Sequence, residues 1–121
     1  MSKAPQMYLK LWLQHEDTIL LGYGRAQLLK KVGELGSLKK AAESLGMSYR
    51  AAWGRIKRAE AAMGFALLET ADTKRKGCRL SPAGREAMET FLAWYEDVYA
   101  YALKRAESFP FSVIRKTPPG T

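Results

Sequence analysis

With 121 residues, 47% of them hydrophobic, the chain is long enough for one domain with a buried core and too apolar to be disordered. Its formal net charge of +8 points to an anionic partner. A single cysteine, Cys78, excludes an internal disulfide and suits a reducing compartment, and with His15 as the one histidine a zinc cluster has no ligand set.

Residues 1–6 carry one base and no apolar run behind it. They are expected to be a flexible N-terminus rather than a signal peptide. Tyr8–Gln14 alternates, with Leu9, Leu11 and Leu13 on one side, and predicts a half-buried strand. A polar loop, His15–Thr18, leads to a second strand at Ile19–Leu21. Gly22-Tyr-Gly24 has the start of a dinucleotide fingerprint, but Gln27 stands where the third glycine belongs, so it reads as a bend. A first helix is predicted over Arg25–Glu34, with Leu28, Leu29, Val32 and Leu35 inward.

The next stretch dominates the chain. Leu38, Ala41, Ala42 and Leu45 share one helical face; Gly46 permits a left-handed exit; Ser48 can cap a further helix running to about Met63. On that helix Tyr49, Ala52, Trp53, Ile56 and Met63 are expected inward, and Arg50, Ala51, Gly54, Lys57 and Arg58 outward, with Arg55 at the edge. Two short helices around a glycine turn, the second with a basic outer face, form a helix-turn-helix pattern whose second helix fits a DNA major groove. Ala66–Thr70 and Cys78–Leu80 predict two strands around a basic tip, the wing. Ser81-Pro82 starts a long helix to about Ser108, and residues 109–121 are expected to be a poorly ordered tail.

Charge follows this layout. Arg25–Arg85 holds 14 Lys and Arg against 5 Asp and Glu, whereas Glu86–Ser108 holds 2 against 5. The candidates for DNA base edges are Ser48, Tyr49, Arg50 and Arg55. The candidates for DNA phosphates are Lys39, Lys40, Lys57, Arg58, Lys74, Arg75, Lys76 and Arg79. On the long helix Phe91, Trp94, Tyr95, Val98, Tyr99 and Tyr101 form an apolar face wider than a small domain needs. With Trp12 they are the candidate interface of a homodimer; packing of the same face on the N-terminal hairpin within one chain is the alternative, and the two are compatible.

Gly36–Trp53, with Leu9–Leu13, Gly22–Arg25 and Leu80–Gly84, resembles the N-terminal DNA-binding domain of ModE-type molybdate-responsive regulators. The Gly-x-Ser, Ala-Ala, Leu-Gly and Leu-Ser-Pro-Ala-Gly pieces are shared with LysR-type regulators. The resemblance implies a mainly α winged helix-turn-helix over residues 7–108, with small β-hairpins and a long C-terminal dimerisation helix. It also implies a dimeric, sequence-specific transcription regulator acting in the cytoplasm on double-stranded DNA. ModE-type wings are commonly glycine-rich at the tip, whereas Asp72–Gly77 is basic. An oxyanion-sensing domain and a cofactor are not expected here, and the sequence leaves open whether a separate molybdate-binding protein is a partner. The alternative is a winged-helix adaptor that binds protein through the long helix. No nucleophile, base or paired-carboxylate constellation suggests an enzyme, and no run of about 20 apolar residues suggests a membrane span.

Overall fold

The computed structural model describes residues 4–72 and 77–117. The elements are β1 (Gln6–Tyr8), β2 (Trp12–His15), β3 (Thr18–Gly22), α1 (Tyr23–Leu35), α2 (Leu38–Ser44), α3 (Tyr49–Met63), β4 (Leu68–Asp72), β5 (Gly77–Leu80), α4 (Pro82–Ala106) and β6 (Ile114–Lys116). This is a mainly helical winged helix-turn-helix with three two-stranded sheets among the described residues.

Among the described residues, serines start three of the four helices. The side chains of Ser37, Ser48 and Ser81 accept from the backbone N–H of Lys40, Ala51 and Gly84. Gly36 and Gly64 close α1 and α3 in the left-handed conformation that glycine adopts without a steric penalty. One core joins the pieces: Leu28, Leu29 and Val32 of α1 pack with Ala41 and Ala42 of α2, Ala52, Ile56 and Ala59 of α3, and Phe91 of α4.

The amino-terminal region corrects the expected single strand. Residues 9–11 leave the sheet, and Leu9 and Leu11 pack against the core. His15 pairs with Thr18, so the expected four-residue loop is a two-residue turn with Glu16 at φ 53°. A register shift between Leu13 and Gln14 turns Leu13 out of the expected inward row, and it is exposed.

α4 is anchored at its start. Ser81 donates its hydroxyl to Ala66 O (2.6 Å) and its N–H to Leu67 O (2.9 Å). Gly84 lies against the same segment, just before β4: a Cβ there would sit 2.1 Å from Leu67 O. Farther along, Tyr95 packs between Tyr23 and Tyr99, with ring centroids 4.8 and 5.5 Å away. Phe91, Tyr95 and Tyr99 are buried within the chain itself. They are thereby corrected as candidates for a subunit face. The two tyrosine hydroxyls show what covers the helix here: Tyr95 donates to Leu9 O (3.1 Å) and Tyr99 to Met7 O (2.7 Å), so the N-terminal segment lies over this part of it. Burial, followed by the neighbouring Tyr99 and Tyr23, pushes the Tyr95 phenol up to about 12. Val98 is half-buried, and Trp12, Trp94 and Tyr101 are exposed.

The expected poor order of the tail is corrected at Ile114–Lys116. This strand runs parallel to β1, in the register Gln6 to Ile114 and Tyr8 to Lys116. Alternation over three residues is too short a signal to mark such a strand. The Tyr99 hydroxyl also bonds the backbone of Lys116. Arg115 lies 3.9 Å over the Tyr99 ring and pairs with Glu96 at 2.6 Å. That pair holds the Glu96 carboxyl below its ordinary range. Among the described residues, no helix is long and apolar enough to cross a membrane, and no three His, Cys, Asp or Glu gather as a metal site.

Candidate nucleic-acid interface

The turn before α3 is set by Gly46, at φ 69°, and by Met47, whose N–H returns to Ala42 O (3.0 Å). This ties α3 to α2 and leaves the amino end of α3 on the surface. α3 packs on β3 and α2 through Ala52, Ile56 and Ala59. Helical geometry then turns Arg50, Gly54, Lys57 and Arg58 away from the core.

The base-edge candidates Ser48, Tyr49 and Arg50 are all exposed, side by side at that amino end. Arg55 is half-buried instead, and its charge acts on Arg25. Trp53 and Tyr49 correct the expected inward face of α3: they are 48% and 52% exposed. Trp53 and Tyr49 line an open groove of about 800 Å³ between α3, the start of α2 and the wing, with Lys39, Lys57 and Cys78. The Lys57 ammonium lies 5.7 Å from the Trp53 ring centroid. Burial pushes the Cys78 thiol up, which keeps it in the less nucleophilic protonated form.

Among the phosphate candidates, Lys39 and Lys40 are exposed on the first turn of α2, and Arg58 is exposed on α3 with its guanidinium 3.1 Å from where a Cβ on Gly54 would lie. Lys57 pairs with Glu60 at 3.2 Å. Glu60 has a structural task. Burial pushes its carboxyl up, but the N–H groups of Leu67 (2.7 Å) and Leu68 (3.2 Å), together with Lys57, bring it below the usual range. Glu60 thus fixes the strand that leads into the wing. In the wing, Arg79 faces Glu69 across the strands and pairs with it at 2.8 Å. Lys74, Arg75 and Lys76 lie outside the described residues.

Arg25 was not among the sequence candidates. It stands in the first turn of α1, only 9% exposed, and its Nε is buried with no hydrogen-bond partner. Burial, and then the charges of Arg55 and Arg58, lower its pKa. The sequence signal was slight: a basic residue directly after Gly22-Tyr-Gly24, at the start of a predicted helix.

A family model of the bacterial regulatory helix-turn-helix protein, lysR family, matches residues 24–85, from the first turn of α1 to the first turn of α4. No curated protein matches the chain in sequence. Among solved structures, the fold is similar to that of the CbnR DNA-binding domain in its DNA complex, at TM-score 0.56 and 24% identity over 69% of this chain and 92% of that one. It is similar to the BenM DNA-binding domain bound to a benA site 1 DNA, at TM-score 0.56 and 19% identity over 70% and 96% of the two chains. It also resembles full-length CbnR with its target DNA, at TM-score 0.50 and 21% identity, covering 78% of this chain and 43% of that one. The LysR likeness, the more distant of the two resemblances in the sequence, is thus the one a family model matches. With that match spanning just over half of its residues, the chain belongs to the LysR family of bacterial regulatory helix-turn-helix proteins.

Proposed function

We propose that this chain binds double-stranded DNA as a dimeric, sequence-specific transcription regulator, with α3 in the major groove. The observation that carries the reading is the exposed amino end of α3, where Ser48, Tyr49 and Arg50 stand free of the core, with the exposed bases Lys57 and Arg58 two turns farther along the helix. Arg50 is the reader of a base edge, since a guanidinium pairs bidentately with guanine. Lys39, Lys40, Lys57, Arg58 and Arg79 are the phosphate contacts that set register, together with the wing-tip residues Lys74, Arg75 and Lys76. CbnR and BenM domains of similar fold are described in complex with DNA, which supports the partner. The ModE-type reading rests on the hairpin ahead of α1 and on the Met47–Trp53 run; no oxyanion chemistry is assigned to this chain.

Arg50→Ala tests the assignment. It is expected to cost roughly 2 kcal/mol on a preferred site selected from random duplexes, and to relax preference at one position while leaving binding to other sequences nearly unchanged. Competitive binding of selected against scrambled duplexes measures this. An equal loss on every sequence would place Arg50 on a phosphate instead.

The homodimer is part of the same proposal, with a smaller face than the sequence suggested. Trp94 lines an apolar depression with Leu13, Leu20, Met63, Phe65 and Phe91, between the hairpin and α4, and Tyr101 and Trp12 extend the exposed aromatic surface. Trp94→Glu is expected to halve the mass measured by light scattering at micromolar concentration and to keep the helical signal. A wild-type chain that is monomeric both free and on DNA would refute the pairing.

A further inference from the structure

We propose that the corner between the amino end of α1 and the middle of α3 is a phosphate-binding site, in which Arg25, Arg55 and Arg58 together hold one phosphate group. The DNA-borne form of this proposal rests on the function proposed above. Arg25 is nine-tenths buried, its Nε has no acceptor, and it takes part in no ion pair or side-chain hydrogen bond among the described residues. Buried arginines are ordinarily paired, because an uncompensated buried charge is strongly unfavourable. Arginine cannot relieve this by losing its proton. α1 packs against α3, and the charges on α3 that act on Arg25, those of Arg55 and Arg58, are both positive.

The helix beside it adds to the same field. The N-cap of α1 is Gly22, which offers no side-chain acceptor, and the first turn contains no acidic residue. The positive end of α1 is therefore uncompensated at the place where the guanidinium is also unpaired. Each element of the corner thus lacks a negative partner. A phosphate supplies several acceptor oxygens in a geometry that the planar guanidinium fork matches, and its charge offsets that of the cluster. The outer face of α3 would bring a DNA backbone alongside. A phosphodiester of the bound duplex and a free inorganic phosphate offer the same chemistry, and experiment separates them.

The test compares the full wild-type chain with Arg25→Met, which keeps the apolar stem and removes the charge. Binding to a selected and an unrelated duplex is measured across salt. Thermal melting is measured in inorganic phosphate and in chloride at matched ionic strength. For a DNA phosphodiester, Arg25→Met is expected to melt at or above the wild-type temperature, to bind both duplexes roughly tenfold more weakly, and to lower the salt slope by about 1. For a free anion, phosphate raises wild-type melting saturably, the variant loses that rise, and the DNA salt slope is unchanged. Unaltered slope and unaltered phosphate response overturn the proposal, as does a variant whose only change is a lower melting temperature. Should Arg25→Met fail to fold, Arg55→Met at its half-buried position is expected to show the same two signs, melting no lower and anion binding weaker; otherwise the proposal fails. If the wild type binds no duplex, the regulator reading fails by itself, and the phosphate-melting arm still decides this site.

Discussion

Raising monovalent salt from about 50 to about 200 mM is expected to weaken DNA binding roughly a thousand-fold. Neutralising about 6 phosphates gives log K a slope near −5 against log salt, and a fourfold rise in salt then removes about three decades. The bases on the binding face exceed that number, but not all are free to count. Lys57 and Arg79 already face Glu60 and Glu69, and part of their charge is spent before DNA arrives. Lys39, Lys40 and Arg58 have no such partner among the described residues, and they should contribute most per residue. Fluorescence anisotropy of a labelled duplex over a salt series measures the slope directly. A flat response would remove the nucleic-acid reading altogether.

Gly84→Ala is expected to destabilise the fold by about 3 kcal/mol, although alanine is favoured over glycine inside a helix by about 1 kcal/mol. The clash decides the sign. The added carbon would lie 2.1 Å from Leu67 O, and both backbones are pinned there by Ser81. Neither the helix nor the Ala66–Leu67 segment can withdraw without breaking those bonds. Gly33→Ala is the control: its Cβ would meet the Leu80 side chain at 3.4 Å, an ordinary contact, so the propensity gain should show. Thermal unfolding should place Gly84→Ala roughly 10 °C below wild type, with Gly33→Ala at or above it. A Gly84→Ala chain as stable as the parent would mean that α4 does not sit against Leu67 as described.

The helices were legible because their signals are local. Ser37, Ser48 and Ser81 announce their helices within three residues, and Gly46 and Gly64 mark turns whose backbone requires them. The pairing of Ile114–Lys116 with Gln6–Tyr8 was not legible, since it joins short stretches from opposite ends of the chain and neither shows a strand pattern of its own. The same omission misplaced the aromatic face of α4. Tyr95 and Tyr99 read as surplus apolar area only while the carbonyls that bind their hydroxyls are unknown. Trp53 failed for another reason: a helical wheel locates it beside Ile56, but not the open groove that the wing leaves above it. Arg25 shows the limit most clearly, because burial of a charge is a property of its surroundings and leaves no trace in the residue itself.

The pairing of the two ends has a mechanical consequence. Because β1 and β6 run parallel, a force applied to the chain through its two ends pulls Gln6 and Lys116 in opposite directions along the strand axis. The strands would slide past one another, not peel apart. Their hydrogen bonds, and the Tyr99 hydroxyl that ties Met7 to Lys116, would be loaded at the same time. A short sheet under shear resists as a unit. Tension transmitted by segments attached to both ends would meet this clasp before it reached α3.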